Sequence, residues 1–337
     1  MEINENYTVS SLAEYMEAIN GFSRGDIVWY RGHANYQYTL LPTLYRGITV
    51  DFAEEADNSV HYLQSMRMQQ YHARNYMFIK EEDGTNLSGL LGNAQHFQLK
   101  TRFLDWSTSA IHSLLFALEK YFDPPAEDIK GIPCVWLLKP QKMNEKNIKK
   151  IWEHLKNNME NLNRLGVPES LIDSINANQS DYVFLSGNPV NSWSHMDFIY
   201  NLAYLESCFK CSRENPDFTI SETRNPIFHI LSKIYLEGEH ITCNPAPLAV
   251  LHPLNSDRIH MQNGVFTVFP FPQKELYEKN GMNYMRMEYR KDIRGTLGRV
   301  MLCEPERIGR ELRTIGVHRS WLYFEQEQLT REIESGL

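Results

Sequence analysis

Two short stretches of this sequence combine residue types that could do chemistry: Tyr30-Arg31-Gly32-His33 and Ser107-Thr108-Ser109. Arg31 offers a planar, permanently charged fork that matches a phosphate or a carboxylate in two hydrogen bonds. Gly32 after it lets a ligand or another backbone come close. A buried salt bridge, with Asp105 as a partner, would account for the same arginine equally well. The three hydroxyls precede an apolar helical run, where plain capping explains them. The free N–H groups and positive dipole of such a helix start would also suit a phosphate. Between the two stretches, Arg102 and Asp105 interrupt a run that otherwise reads as core, "HFQLKTRFLDWSTSAIHSLLFAL" (96–118). Charges in such a place are costly unless paired or facing a cleft, so the segment is either an internal polar network or the wall of a site. On the second reading Arg102 and Asp105 brace a cleft whose mouth is Ser107–Ser109. A third stretch, "DRIHMQNG" (257–264), places Gln262 and Asn263 just before a strand, where binding residues are often carried. Asn263-Gly264 also reads simply as a tight turn.

Other reactive residues carry less. His33, His96, His252 and His260 are candidate bases, though lone histidines are commonly structural. Cys208 and Cys211 form one CxxC, without the second ligand pair that a structural zinc site needs. No Gly-rich phosphate loop, no Ser-His-Asp or Cys-His spacing and no paired carboxylates stand out. No metal is expected.

These residues need elements to hold them. Residues 10–22 read as a helix with a serine cap, with Leu12, Tyr15, Met16 and Ile19 at helical spacing and Gly21 as terminator. "DIVWYRGH" (26–33) is a strand with Ile27, Trp29 and Arg31 on one face and Val28, Tyr30 and Gly32 on the other. Helical stretches follow at 52–80 and 86–97. "TRFLDW" is extended and leads into a helix carrying Ile111, Leu114, Leu115, Leu118 and Phe122 that ends at Pro124-Pro125. "IPCVWLLKP" (132–140) is a short buried strand. Residues 141–215 shift to Asn, Lys and Glu and read as a helical insertion. Strands return at 246–253 and 263–271. A helix over "EPERIGRELRTIG" turns Ile308, Leu312 and Ile315 inward with Gly316 as cap, and another covers "EQEQLTREIES".

The chain has 337 residues, with 42% hydrophobic, 12% aromatic and 23% charged residues. It holds no apolar stretch of membrane-spanning length, and its start has neither the basic nor the apolar region of a secretory signal. The five scattered cysteines fit reduced thiols. We therefore expect a cytoplasmic protein with no membrane association. A net charge of −8 argues against a general nucleic-acid binder, while leaving room for a local basic patch.

Taken in order, the motifs resemble the FRG domain family, which is named for an aromatic-Arg-Gly motif near its N-terminus. Here that motif is Tyr30-Arg31-Gly32 in "IVWYRGH", followed by Leu-Pro in "TLLPTLYR". The second hallmark is similar to "AQHFQLKTRFLDWSTSAIHSLLFAL", the third to "DRIHMQNGVFTVF", and the last to "EPERIGRELRTIGVHRSWLYFEQEQL". The resemblance runs from about residue 10 to 335, apart from the insertion. It implies a single FRG-type domain over 1–337, of α+β class: a split, mostly antiparallel sheet with packed helices. The layout also resembles ADP-ribosyltransferases of the Arg–Ser–Glu type, which implies NAD as substrate. Arg31 and Gln262 would then be catalytic, and Tyr30, Arg31, Gly32, His33, Ser107, Thr108 and Ser109 would bind the cofactor. Gln262 stands where such enzymes carry a glutamate, so the charge would have to come from elsewhere; Asp105, Glu237 and Glu288 are candidates.

The implied function is that of an NAD-using ADP-ribosyltransferase or NAD glycohydrolase-like effector, in the bacterial and phage defence or toxin settings where the family tends to occur. Its partners would be a nucleotide and an acceptor, either protein or nucleic acid. The rival reading is a non-catalytic nucleotide-sensing or protein-interaction module that keeps the same cleft. A nuclease or phosphoesterase has little support without a carboxylate cluster.

Overall fold

The computed structural model describes residues 5–47, 59–75, 77, 87–121, 131–158, 165, 200–201, 230–239, 241–251 and 261–322. Their strands are β1 (Asn6–Val9), β2 (Trp29–His33), β3 (Phe103–Ser107), β4 (Cys134–Leu138), β5 (Tyr200–Asn201), β6 (Leu248–Leu251), β7 (Gly264–Val268) and β8 (Leu297–Leu302). All eight join one sheet in the order β1-β8-β4-β2-β3-β7-β6-β5. The β1–β8 and β5–β6 pairs are parallel and the rest antiparallel. The helices are α1 (Leu12–Ser23), α2 (Ser59–Asn75), α3 (Leu87–His96), α4 (Ala110–Leu118), α5 (Pro140–Lys156), α6 (Lys274–Asn280) and α7 (Pro305–Thr314). An α+β fold with a mostly antiparallel sheet is what the sequence leads one to expect.

Alternation along β2 decides which groups meet which. Val28 and Tyr30 join Val135, Leu137 and Val300 in a core closed by α1, α4 and α7. Trp29 points the other way, among Leu104, Trp106, Trp136 and Leu138. β4 lies between β2 and β8 and is buried at every residue, which is why its sequence is an unbroken apolar run. On the far half of the sheet, Phe103, Phe266 and Val268 pack with residues of α2, α3 and α5 and with Ile230–Leu236.

The sheet opens in its middle. β2 and β3 share a single register pair, Tyr30 with Ser107, whereas β2 pairs with β4 over five residues and β3 with β7 over five. Beyond Tyr30 the two strands diverge, and their backbone groups must find other partners.

Several expectations change. α1 continues through Gly21 and ends at Ser23, because Arg24 takes the left-handed conformation (φ 47°) and its amide bonds the Asn20 carbonyl. β1 and β8, absent from the sequence reading, add an edge pair. Ile315 is 61% exposed: α7 has ended at Thr314, and Gly316 (φ 79°) turns the chain away as expected. α5, the first part of the expected insertion, buries Ile148, Ile151 and Trp152 in the core and ties Asn144 to the backbone of Ala249. The expected helix at "EQEQLTREIES", the CxxC, His252, His260 and most of 159–215 lie outside the described residues.

Candidate functional site

The divergence of β2 from β3 leaves a cleft of about 310 Å³. One wall is β2, with Tyr30, Arg31 and Gly32; the facing wall is β3, with Asp105, Trp106 and Ser107. Gln262 and, in β7, Gly264 and Phe266 close it, while Gln95 of α3, Gln98 just after it, and Ser113 and Phe116 of α4 cover it. Three segments far apart in sequence thus bring Arg31, Ser107 and Gln262 to one hollow.

By the two-residue period, Arg31 leaves β2 on the side of Trp29 and His33, opposite Tyr30 and Gly32. Its guanidinium nevertheless reaches the cleft, since the strands have parted. Nη1 donates to the backbone carbonyl of Asp105, an acceptor left over where the ladder stops, and lies 3.7 Å from the Asp105 carboxylate. Nε donates to His33 Nε2 at 3.0 Å. Burial, and then the neighbouring Arg46, lower the Arg31 pKa, while Asp105 opposes both. The group remains a cation.

His33 is 5% exposed, and burial together with Arg31 and Arg46 pushes its pKa down to about 2. It is a neutral acceptor that orients Arg31, which removes it as a general base near neutral pH. Arg46 also feels the charges of Asp105 and Glu288. Arg31 and Arg46 thus lie close to Asp105, while Glu288, itself paired with Arg286, also acts on Arg46.

Asp105 is the carboxylate of the cleft, half exposed at 53%. Gln95 Nε2 donates to both of its oxygens, at 3.1 and 3.0 Å. The Gln95 amide is in turn fixed by Thr101, whose hydroxyl donates to Gln95 Oε1 and accepts from the amide of Phe103 at 3.2 Å. Of the other two candidates, Glu237 pairs with Lys233 at 2.8 Å and Glu288 with Arg286 at 2.9 Å, and neither lines the cleft.

The hydroxyl cluster is divided. Ser107 Oγ donates to the Gln262 carbonyl at 2.6 Å and accepts from the Ser109 amide at 3.0 Å. Ser109 caps α4, accepting from the amide of His112 at 3.3 Å. Thr108 is exposed, its amide bonded to the Asn263 carbonyl at 3.0 Å, and it is not among the cleft-lining residues. Gly32 lines the cleft, yet a backbone demands its small size. A Cβ there would stand 2.0 Å from the Ser113 carbonyl oxygen and 2.7 Å from the Ala117 nitrogen.

Arg102 takes no part. Fully buried on the far side of the strand start, it donates to Gln64 Oε1 (3.0 Å) and to the carbonyls of Phe269 (2.7 Å) and Tyr235 (2.6 Å). Its guanidinium stacks 3.9 Å over Phe271, and burial pulls its pKa down to about 10. The expectation that Arg102 and Asp105 together brace the cleft is thus corrected: Arg102 ties together segments of the core, and Asp105 faces the hollow. The sequence reading missed Gln95 and Gln98. A glutamine one turn from a helix end carries no signal for a cleft, although Gln98 in the left-handed region (φ 64°) marks where the chain leaves α3.

Among the described residues, no group of three or more His, Cys, Asp or Glu side chains could hold a metal ion. Nor is any helix among them long and apolar enough to cross a membrane. Compared with known families, residues 26–125 match the FRG domain. That span contains both walls of the opening, with Arg31, Gln95, Asp105 and Ser107, whereas Gln262 lies beyond it. No curated protein and no solved structure matches the chain.

Proposed function

We propose that the cleft binds NAD and that the protein is an ADP-ribosyltransferase or an NAD glycohydrolase. The observation that carries this reading is the Arg31–Asp105 pair, held at the parting of β2 and β3 beside Ser107 and Gln262. Arg31, with Arg46 behind it, would hold the pyrophosphate. At about 310 Å³ the cleft is at the small end of ligand sites (roughly 300–1,000 Å³), suited to the nicotinamide-ribose end of the dinucleotide. In the reaction the bond between C1′ and the nicotinamide nitrogen breaks, its electron pair leaving with nicotinamide. Water or an acceptor then gives a lone pair to C1′ and loses a proton. Positive charge develops on the ribose, and Asp105, fixed by Gln95, would stabilise it in place of the glutamate that Gln262 does not supply.

Purified protein incubated with NAD, alone and with protein or nucleic-acid acceptors, should release nicotinamide, and Arg31→Ala should abolish the release. If wild type neither releases nicotinamide nor binds NAD, the reading fails. One observation favours the non-catalytic alternative: the Ser107 hydroxyl and the Gln262 amide are both engaged within the protein. NAD binding without nicotinamide release, whichever acceptor is added, would establish it.

A further inference from the structure

Gln262 is held by the segment after α7, which the sequence reading took as the last motif and gave no part in the site. Its Nε2 donates to the backbone carbonyl of Leu322 at 2.8 Å, and its own backbone carbonyl accepts from Ser107. With one of the two Nε2 hydrogens committed and the amide plane thereby fixed, Oε1 is the acceptor left to meet a ligand. We infer that the C-terminal turn, through the Leu322 carbonyl, positions Gln262, and that this bond is the reason an amide stands there. A carboxylate would set oxygen against oxygen, because an ionised glutamate has no hydrogen to donate.

The turn has anchors of its own, as a positioning element must. Leu322 is 2% exposed and packs with the core beneath α4 and α7. The Trp321 ring lies 6.4 Å from that of His112. Arg319 reaches Glu119 at 3.4 Å, just past the end of α4. The helix that starts at Ser109 therefore carries both the cleft cover and the seat of the turn. Resting on the proposed NAD chemistry, the inference adds that Gln262 acts as an oriented acceptor for a ribose hydroxyl. Restoring a glutamate would then not restore a stronger enzyme.

The test begins with hydrogen exchange and needs no ligand. The amides of Trp321 and Leu322 donate within the turn to the carbonyls of His318 (3.1 Å) and Arg319 (2.9 Å). In the full chain, Gln262→Met should speed their exchange roughly fivefold, and Gln262→Glu roughly tenfold or more at neutral pH, as the bond is lost and then replaced by repulsion. Unchanged exchange in both variants would overturn the inference and leave the NAD reading standing. Conversely, faster exchange in a protein that binds no NAD would refute the NAD reading alone. Where NAD is turned over, Trp321→Ala, which leaves Gln262 in place, should lower kcat with little change in KM. Full turnover from a Trp321→Ala protein whose turn has opened, or a gain of activity in Gln262→Glu, would also overturn it.

Discussion

Arg31 is rooted on one face of the sheet and used on the other, and the two residues that make this work, His33 and Asp105, behave oppositely. His33 must stay neutral to accept from Nε, and its surroundings push its pKa down to about 2 from an unfolded value of about 6.5. Between those values the unfolded chain binds a proton that the folded one refuses, so stability falls as the pH drops from about 6.5. His33→Gln removes this group, and its melting temperature should fall less than that of the wild type between about pH 7 and pH 4.5. Equal acid losses would contradict the account. Asp105 supplies the charge of the cleft. Asp105→Asn preserves its shape and removes that charge, so nicotinamide release should drop by roughly 10²–10³ in kcat with NAD affinity little changed. A drop in affinity alone would make Asp105 a binding residue.

At the scale of elements, the meeting of β2 and α4 makes the site possible. Gly32 lets the helix backbone lie against the strand, which brings Ser113 and Phe116 over the cleft. Gly32→Ala should destabilise the fold by about 3 kcal/mol, read as a lower denaturant midpoint, because helix and strand must separate. Near-wild-type stability would show that α4 can yield. Most of these elements were legible in the sequence. Alternation named the β2 faces correctly, the Ser109 cap began α4, and an unbroken apolar run marked β4 as central. The parting of β2 from β3 was not legible, since it is a property of register between strands some 70 residues apart. Nor was the use of Arg102 and Asp105, three residues apart in one extended segment. Opposite faces sent one into the core and the other into the hollow. β8, with Gly298 and Arg299 in its "LGRVML", lacked a clean strand pattern, although the aromatic rings of Phe22 and Trp136 explain both residues.

For the molecule as a whole, Trp29, Trp106 and Trp136 share one core across the opening on one face of the sheet, and on the other face the opening lies between two packed halves. One is closed by α1, α4 and α7, the other by α2, α3 and α5, and the cleft lies over the seam. The chain carries a net charge of −8, yet the seam brings Arg31 and Arg46 together at Asp105, with Glu288 beside Arg46. On the proposed reading an anion binds there against the overall charge, and that attraction should weaken with salt. Gln262 and the Leu322 carbonyl bring the end of the described chain to the same seam, so the site draws on segments from β2 to Leu322. The central claim is that this seam is a nucleotide site built around Arg31. Calorimetric titration of NAD into wild type and Arg31→Ala tests it most directly. The account predicts saturable binding by the wild type, weakened at least tenfold in a variant that melts as a folded protein. Equal affinity in the two proteins, or no binding by either, would contradict it.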